Sequence, residues 1–408
     1  MSRLKIAIIG GGASGLMAAI AAAKNGAKVD IWERNDRVGK KILATGNGKC
    51  NFANKDFDMK HFHGENLSIP EKVLNHFTVE DTQLCFESLG MLCKAKDTLL
   101  YPYSEQASSV LDVLRFAVSD LGVNIFTEET VTDIKVLENG AFQVSSQKIT
   151  QRYDRVIITC GGYAAPKTGS DGKGYKLAQK LGHKITKTCP ALTALKVKDN
   201  DFKAISGVRS QAEVTLLVDG KEVSTEKGEL QLTDYGISGI VIFQLSRMAG
   251  MGLLDKQRVT AKIDLCPDID MHTLSFLLRK RKHQFMEHDV DTYLSGLINK
   301  KLGLYLAKKV NMSLNTCVKN IPDETIQRFA NLLKAWQVEI VETNSYEQAQ
   351  VTAGGISFDK IDDTLQSKIH KGLYFAGEVL DVDGKCGGYN LQWAWSSGYV
   401  AGISASKA

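Results

Sequence analysis

Several common signals are absent from this sequence, and each absence excludes a class of protein. No two of the eight cysteines, at positions 50, 85, 93, 160, 189, 266, 317 and 386, have C-x-x-C spacing, and none clusters with histidine. A dithiol redox pair and a zinc site are therefore not expected, and the cysteines are predicted to be reduced thiols. No apolar stretch reaches the roughly 18 to 20 residues that span a bilayer. These absences predict a cytoplasmic protein with no metal and no membrane segment.

A strong excess of either charge is also missing. The 408 residues include 51 Lys and Arg against 46 Asp and Glu, which gives a formal net charge of +5. The one run of four basic residues, at 279–282, is expected to form a solvated helix face. No nucleic-acid groove is indicated, so a nucleic-acid partner is not expected. A hydrophobic content of 43% in a chain of this length predicts two or three globular domains.

What the sequence does contain is a nucleotide-binding pattern at residues 5–34, KIAIIGGGASGLMAAIAAAKNGAKVDIWER. A short apolar run typical of a buried parallel strand leads into G-x-G-x-x-G, formed by Gly10, Gly12 and Gly15. The first glycine allows the tight turn, the second lets the backbone approach a pyrophosphate, and the third lets the helix pack close to the strand. The helix directs its N-terminus at the phosphates. Glu33 ends the next strand, where a carboxylate accepts hydrogen bonds from ribose hydroxyls.

Plainer interpretations of this region stay open at this point. The βαβ pattern can occur without a ligand, and a basic N-terminus before apolar residues can be a secretory leader, although three consecutive glycines and a regular strand argue against a leader. The polar segment 35–51 is either a long surface loop or a ligand loop. Because loops of this length are uncommon without a task, and because Lys40 and Lys41 could neutralise a pyrophosphate, we favour the ligand loop.

A second set of glycines near the C-terminus narrows the choice of nucleotide. Residues 372–378 form an apolar strand that ends in Gly377 and Glu378, and a glycine-rich loop at 381–390 precedes a helix predicted over 391–403. Doubly wound folds bind ligands at the carboxyl ends of their strands. The helix N-terminus would stabilise the pyrimidine ring of a flavin, which becomes anionic on reduction. These features favour FAD over NAD.

The middle of the chain changes pattern twice. Residues 188–265 alternate apolar and polar side chains, with a hairpin turn at Asp219-Gly220, and predict a β domain. Residues 266–336 predict helices. Ahead of this insertion, residues 70–96 are also predicted to be helical, because apolar residues recur along them.

Six segments together identify a family resemblance. They are GGGASGLMAA, KKILATGNGKCN, YPYSEQASSV, PKTGSDGKGY, VTAGGI and GLYFAGEVLDVDGKCGGYNLQWAWSSGY. On these segments the sequence resembles the BaiN-like family of bacterial NAD(P)/FAD-dependent oxidoreductases, which includes bile-acid enone reductases and aminoacetone oxidases. The resemblance implies that FAD is held by Gly10, Gly12, Ser14 and Gly15 at the pyrophosphate turn, by Glu33 and Arg34 at the adenosine ribose, by Lys40, Lys41, Ile42, Gly46, Asn47, Gly48, Lys49, Cys50 and Asn51 along the nucleotide and flavin, by Val131 at adenine, and by Gly377, Glu378, Asn390 and Leu391 at the ribityl and isoalloxazine end.

The resemblance also implies the fold. The expected class is α/β, with a Rossmann-like, glutathione-reductase-type FAD domain, an inserted β-barrel-like domain and a small helical domain. The FAD domain is expected at 1–187 and 345–408, the β domain at 188–265 with a return strand at 337–344, and the helical insertion at 266–336.

Two departures from the family pattern bear on catalysis. Many relatives carry a Thr-His pair before a Gly-x-Ser-Gly-Pro turn, whereas residues 233–240 read TDYGISGI, without the histidine or the proline. No catalytic residue is therefore assigned. Tyr103, Tyr235 and Tyr389 lie in predicted loops that could reach a flavin, but each also fits an ordinary packed aromatic. Cys50 has no partner at dithiol spacing, so a flavin-to-disulfide relay is not expected.

The activity implied by the resemblance is hydride transfer from NAD(P)H through flavin N5 to an activated C=C bond of a small substrate, such as a 3-oxo steroid or bile-acid enone. Because Gly161-Gly162 and Gly354-Gly355 lack the rest of a second glycine fingerprint, NAD(P)H is expected to bind transiently as a co-substrate or not at all. Two alternatives stay open. One is an FAD-dependent oxidase of a small amine such as aminoacetone. The other is a non-catalytic flavin-binding or RNA-associated protein, and a flavin-dependent RNA-modifying enzyme falls between these classes.

Overall fold

The computed structural model describes residues 3–407, so the domain ends predicted at residues 1 and 408 lie outside the described residues. The chain divides into two compact units. The first contains the residues up to Cys189 together with those from Ala349 onward, and the second is Pro190–Gln348. The finer boundaries at 187, 265, 336 and 344 stay predictions.

The secondary structure alternates strands and helices through most of the first unit and separates them in the second. The strands are β1 (Lys5–Ile9), β2 (Lys28–Trp32), β3 (Ala53–Asn54), β4 (Phe62–His63), β5 (Cys93–Lys96), β6 (Leu99–Pro102), β7 (Asn124–Phe126), β8 (Asp133–Val136), β9 (Phe142–Ser145), β10 (Thr150–Tyr153), β11 (Arg155–Ile158), β12 (Cys189–Ala191), β13 (Leu195–Val197), β14 (Arg209–Val218), β15 (Lys221–Leu232), β16 (Gly236–Ser238), β17 (Val259–Asp264), β18 (Trp336–Thr343), β19 (Val351–Ala353), β20 (Leu373–Phe375) and β21 (Asp383–Gly384). The helices are α1 (Ala13–Lys24), α2 (Lys40–Leu43), α3 (Ser68–His76), α4 (Val79–Ser88), α5 (Ala107–Asp120), α6 (Lys173–Lys180), α7 (Ile240–Leu254), α8 (Met271–Gln284), α9 (Val290–Leu294), α10 (Lys300–Lys309), α11 (Asp323–Lys334) and α12 (Tyr389–Ser406). None of these helices combines the length and the apolar character needed to cross a bilayer, within the part of the chain that the structure describes.

A five-stranded parallel sheet with the order β20-β11-β1-β2-β7 forms the centre of the first unit. The central strand β1 is a continuous apolar run, and Ile6, Ala7 and Ile8 are fully buried. Burial on both faces is what a parallel sheet requires, because the crossover helices cover it. The carboxyl ends of β1 and β2 therefore meet at one edge of the sheet.

Two helices of the first unit pack closely through small residues. A Cβ atom added to Gly402 of α12 would lie 2.4 Å from the carbonyl oxygen of Ala18 in α1. One added to Gly398 would lie 2.4 Å from the carbonyl oxygen of Ser14. The two helix backbones are in contact at these points, so the C-terminal helix is fixed against the helix that follows the glycine turn.

The second unit contains a closed barrel with the order β13-β16-β15-β14-β17-β18. Apolar and polar residues alternate along its strands as predicted. The apolar side chains of Val214, Leu216 and Ile263 are fully buried. The predicted hairpin at Asp219-Gly220 is confirmed by the antiparallel pairing of β14 with β15. Helices α8 to α11 follow β17 and precede β18, so the helical segment interrupts the barrel sequence.

The prediction that residues 70–96 are helical is confirmed for α3 and α4 and wrong for the end of the range. Residues 70–96 do not form one helical segment, because Thr78 caps α4 and stops α3 at His76. The Thr78 side chain accepts from the Asp81 N–H, and the Asp81 carboxylate accepts from the Thr78 N–H at 2.9 Å, which is a capping box. The last residues of the range form β5 instead, paired with β6.

A buried histidine makes the stability of the first unit depend on pH. The ring of His183 packs against Phe375 at 4.7 Å between centroids, and its Nε2 lies 2.8 Å from Ser367 Oγ. Burial lowers the pKa of His183 to about 4 from its ordinary 6.5, with His370 adding repulsion. As the pH falls below 6.5, the His183 imidazole becomes protonated in the unfolded chain but stays neutral in the folded chain. The free energy of unfolding therefore decreases until about pH 4.

We expect this group to remove about 3 kcal/mol of stability over that range. Urea unfolding of wild type and His183→Gln between pH 7 and pH 4 measures the effect, and the variant should lose less stability than wild type on acidification. His76→Gln, which changes an exposed imidazole, should follow wild type. Equal pH slopes for His183→Gln and wild type would contradict the assignment.

Candidate functional site

The glycine turn between β1 and α1 has one glycine that the protein needs for its own packing and one that it does not. Gly10 has a φ of +109°, and a Cβ added there would lie 2.7 Å from the carbonyl oxygen of Thr159. Gly12 has an ordinary φ of −81°, and a Cβ added there would meet no atom within 4 Å. The space in front of Gly12 is therefore open, and the missing side chain is not explained by the folded chain itself.

Helix α1 begins at this open space without a capping side chain. Gly12 is its N-cap residue, no side chain accepts a hydrogen bond there, and the first turn carries no acidic residue. The first N–H groups of a helix have no partner within the helix, and together with the helix dipole they favour an anion. The turn has the geometry and the polarity of a phosphate site.

The third glycine brings this turn against the C-terminal segment. A Cβ on Gly15 would lie 2.0 Å from the carbonyl oxygen of Gly10, so the helix packs directly on the turn. Ser14 is buried, and its Oγ lies 3.4 Å from the carbonyl oxygen of Ala376. A Cβ on Gly377 would lie 2.3 Å from that same Oγ. Ser14 and Gly377, both predicted to hold the cofactor, are thus in contact.

Glu33 is buried and faces the turn. Its Oε2 accepts from the N–H of Gly11 at 2.9 Å, and its Oε1 accepts from the backbone and side-chain N–H groups of Asn35, each at 2.8 Å. A carboxylate has about four acceptor positions, so about one is left for a ribose hydroxyl. The second role of Glu33, which fixes the turn by accepting a hydrogen bond from the N–H of Gly11, was not predicted from the sequence.

The basic residues after β2 are placed differently from one another. Arg34 forms an ion pair with Asp171, in the loop before α6. Lys40 pairs at 2.6 Å with Asp36, which lies four residues earlier in the chain. Burial raises the pKa of Asp171, but hydrogen bonds and nearby cations outweigh burial and hold this pKa below its usual range. The hydrogen bond from Arg34 is the largest of the lowering effects. Each of these cations therefore already has a carboxylate partner.

Lys41 connects two segments that were both predicted to line the FAD site. Its Nζ lies 2.6 Å from Glu378 Oε2 and 3.2 Å from the carbonyl oxygen of Ala164. Glu378 Oε1 accepts from the N–H of Thr352 at 2.9 Å. Thr352 was not predicted as a site residue, although it lies in the VTAGGI segment. The Oγ1 atom of Thr352 also accepts hydrogen bonds from two backbone N–H groups. This ion pair ties the 35–51 loop to the end of β20.

We expect the Lys41–Glu378 pair to be coupled by about 1 kcal/mol, because both side chains are mostly buried. A double-mutant cycle with Lys41→Met and Glu378→Gln, measured by urea unfolding of FAD-free protein, gives the coupling. Lys196–Glu342, at the same 2.6 Å but with side chains 37% and 64% exposed, is the matched control. A coupling no larger than that of the control would contradict a structural role for the pair.

The loop at 46–51 has an unusual backbone. Gly46, Asn47 and Gly48 have φ values of +55°, +53° and +82°, and Cys50 has +54°. Left-handed residues other than glycine are strained and gather at binding sites. Beside this run, Ile42 is buried, and Lys49 pairs with Glu105 at 2.8 Å.

Two neighbouring side chains of this loop differ in chemistry. Burial raises the pKa of the Cys50 thiol to about 11, so the thiol is neutral near pH 7. The Oδ1 atom of Asn51 is buried and has no hydrogen-bond partner among residues 3–407. Buried polar atoms without a partner are uncommon and call for a ligand or water.

The adenine and flavin ends of the predicted site lie at two further places. Val131 is buried, two residues after Glu129, whose N–H donates to the Glu33 carbonyl at 2.9 Å. The Asn390 side chain donates to and accepts from the backbone of Gly384, both at 2.8 Å, and so closes the glycine-rich loop. Leu391 follows it and is partly buried.

Helix α12 begins at Tyr389, two residues before the start predicted at Leu391. Its N-cap, Gly388, gives no side-chain hydrogen bond, and its first turn has no acidic residue. Tyr389 is buried in the helix, so its assignment to a loop is wrong. Tyr103 and Tyr235 are 61% and 39% exposed, the latter in the second unit.

A surface cavity of about 410 Å³ in the first unit is separate from this site. It is lined by Lys24, His76, Cys85 and Tyr399 among others. Lys24 ends the 12-residue helix α1, which at 1.5 Å per residue is about 18 Å from the glycine turn. The cavity therefore belongs to the opposite end of α1.

A parallel sheet, a glycine turn, an uncapped helix and an acid after the second strand define a Rossmann-type nucleotide-binding protein. The family model described as HI0933-like protein Rossmann domain matches residues 4–404. The chain belongs to this family, and the resemblance to the BaiN-like oxidoreductases is confirmed. The predicted fold class is also confirmed, since the Rossmann-like unit is accompanied by a closed barrel and helices.

Three proteins of known name are similar to this chain. A 3-dehydro-bile acid delta(4,6)-reductase of Clostridium scindens is 38% identical over 406 residues, 99% of both chains. A ribosomal RNA dihydrouridine synthase of Haemophilus influenzae is 28% identical over 98% of both chains. The solved structure of a 3-ketosteroid-delta4-(5alpha)-dehydrogenase from Rhodococcus jostii RHA1 has a TM-score of 0.48 and 14% identity, and covers 99% of this chain and 97% of that one. With a 38% identical reductase in the family, the chain is an oxidoreductase.

Proposed function

We propose that the protein is an FAD-dependent reductase of a C=C bond conjugated to a carbonyl group. The observation that carries the proposal is the open space at Gly12, where a side chain would meet nothing within 4 Å, in front of an uncapped α1. The buried, unpaired Oδ1 of Asn51 and the uncapped start of α12 support the same ligand. These residues fit a dinucleotide with a second polar end, as FAD has.

In this proposal the chain's own residues bind each part of the cofactor. Gly12 and the first turn of α1 bind the pyrophosphate, Glu33 binds the adenosine ribose, and the N-terminus of α12 lies at the flavin pyrimidine ring. The remaining predicted residues keep the assignments that the resemblance gave them. FAD would supply the hydride chemistry at N5.

The proposed substrate class is supported by the relative from Clostridium scindens. The name of the Clostridium scindens protein describes reduction of a 3-dehydro bile acid. A double bond conjugated to a 3-oxo group accepts a hydride because the carbonyl withdraws electrons from it. We propose that the protein is cytoplasmic and that its substrate is a small 3-oxo compound of this kind. NADH or NADPH binds transiently as the reductant.

An RNA substrate is the second candidate, because relatives at 28% and 26% identity are named ribosomal RNA dihydrouridine synthases. The uracil double bond that becomes dihydrouridine is also conjugated to a carbonyl, so the chemistry is shared. Residues 266–336 carry eleven Lys and Arg against seven Asp and Glu. In α8, Arg279 and Lys280 are exposed, whereas Arg281 donates to the Tyr293 carbonyl and is used by the fold. A basic, exposed helix suits a phosphate backbone.

Anaerobic rapid mixing separates these candidates. Purified protein is first reduced with NADH or NADPH and then mixed with a 3-oxo-4,6-diene bile acid, with unmodified ribosomal RNA, or with neither. Bleaching of the flavin followed by recovery with the bile acid supports the proposal, and recovery with RNA alone supports the second candidate. Reduction by aminoacetone but not by NADH or NADPH would overturn the reductase assignment in favour of an amine oxidase.

A further inference from the structure

His61 lies against the start of α12 and is not used by the site described so far. Its ring stacks on that of Tyr389, with centroids 4.7 Å apart and an interplanar angle of 33°. Its carbonyl oxygen accepts from the N–H of Lys385, at 2.9 Å, in the glycine-rich loop. The next residue, Phe62, pairs with Gly384 through β4 and β21. His61 is therefore part of the same loop assembly as Asn390.

The two ring nitrogens of His61 are both buried, and one of them lies near a carboxylate. Nε2 lies 3.5 Å from Asp56 Oδ2, and the side chain is 12% exposed. Both Nδ1 and Nε2 are buried, and neither has a hydrogen-bond partner in the described part of the chain, so Asp56 is at ion-pair distance only. An unsatisfied buried polar atom costs about 1 to 3 kcal/mol, so a free Nδ1 needs an explanation. A buried imidazole with no hydrogen-bond partner and a carboxylate 3.5 Å from one nitrogen is free to bind a ligand or to transfer a proton.

We propose that His61, oriented by Asp56, donates the proton that completes reduction of the C=C bond. The proposal rests on the reductase function proposed above. The π bond breaks as one carbon receives a hydride, with its electron pair, from FAD reduced by NAD(P)H. The other carbon receives the proton from Nδ1 of the His61 imidazolium. The imidazole is left neutral and takes a proton back from solvent, so charge and electrons balance.

Tyr389, the other acid nearby, is already committed. Its hydroxyl donates to the carbonyl oxygen of Asp56 at 3.0 Å, and burial raises the pKa of Tyr389 to about 12. Burial lowers the pKa of His61 below its ordinary 6.5. The charged groups that face the ring are Asp56 and Asp58, which raise that pKa, and Lys385 and Lys60, which lower it. Proton donation should therefore slow as the pH rises through a pKa below 6.5.

His61→Gln tests the proposal, with His76→Gln, an exposed imidazole of α3, as the matched control. We expect His61→Gln to keep its FAD and to be reduced by NAD(P)H at the wild-type rate. Reoxidation by the 3-oxo-4,6-diene bile acid should be about 100-fold slower and should lose its pH dependence, as expected for removal of a general acid. Asp56→Asn should retain most of the rate but shift its pH profile to lower pH, because the carboxylate raises the pKa of His61.

A second readout does not depend on turnover. The imidazole signals of His61, identified in NMR spectra by their absence from His61→Gln, should move when FAD is added to the FAD-free protein, while those of His76 should not. Unchanged His61 signals, or reoxidation of His61→Gln at the wild-type rate, would overturn the proposal while the reductase function stands. A wild-type protein that the bile acid does not reoxidise would overturn both.

Discussion

Gly12→Ala is expected to leave the fold intact and to weaken FAD binding by about 100-fold, or about 2.7 kcal/mol. A Cβ at Gly12 meets no protein atom within 4 Å, and φ is −81°, so the FAD-free variant should lose about 1 kcal/mol or less, the loss of a glycine N-cap. In the bound state the added methyl group would occupy the space through which the pyrophosphate approaches the backbone. Urea unfolding of FAD-free protein and titration with FAD measure the two quantities separately.

The matched control for this substitution is Gly303→Ala, in the interior of α10. Its added Cβ would make an ordinary contact of 3.6 Å with Ile298, so stability should rise by about 0.5 to 1 kcal/mol. FAD affinity should stay as in wild type. A Gly12→Ala protein that binds FAD as tightly as wild type would show that the open space is not the phosphate site.

Gly15→Ala is expected to destabilise the fold itself, whether or not FAD is bound. The added Cβ would lie 2.0 Å from the carbonyl oxygen of Gly10 and 2.8 Å from Thr159 Oγ1. Backbone atoms cannot move away as a flexible side chain can, so α1 must shift from the turn, at a cost of about 1 to 3 kcal/mol.

Urea unfolding of FAD-free Gly15→Ala, compared with Gly12→Ala, measures this cost without interference from the cofactor. Reduced stability in the first variant and near wild-type stability in the second would separate the packing glycine from the binding glycine. Equal stabilities would contradict the close contact between α1 and the turn.

The parts of the fold that the sequence predicted are those governed by local pattern. The strand, turn, helix and strand of residues 5–34 were predicted because an apolar run, three glycines and a terminal Asn25-Gly26 each act within a few residues. The hairpin at Asp219-Gly220 was predicted for the same reason. The helix prediction over 70–96 missed the break at Thr78, since the capping box with Asp81 divides the segment and its apolar periodicity continues across the division.

Barrel closure and the site contacts depend on pairs of residues that are far apart in the chain. Leu195 pairs with Thr343 to close the barrel, and alternation within each strand does not specify such a partner. The resemblance named Lys41 and Glu378 separately, but their ion pair appears only in the folded chain. His61 was missed because a single histidine has no pattern, and its unpaired Nδ1 is a property of three-dimensional packing.

The measurement that tests the account most directly is the flavin content of the purified protein. The protein is purified gently, incubated with excess FAD, passed through a desalting column, and its flavin is released by acid and quantified against protein. Wild type is expected to show a flavin absorbance spectrum and about one FAD per chain, as one Rossmann-type site requires. Gly12→Ala should lose most of its FAD, and Gly303→Ala should lose none. No bound FAD in wild type after reconstitution would contradict the proposed FAD site.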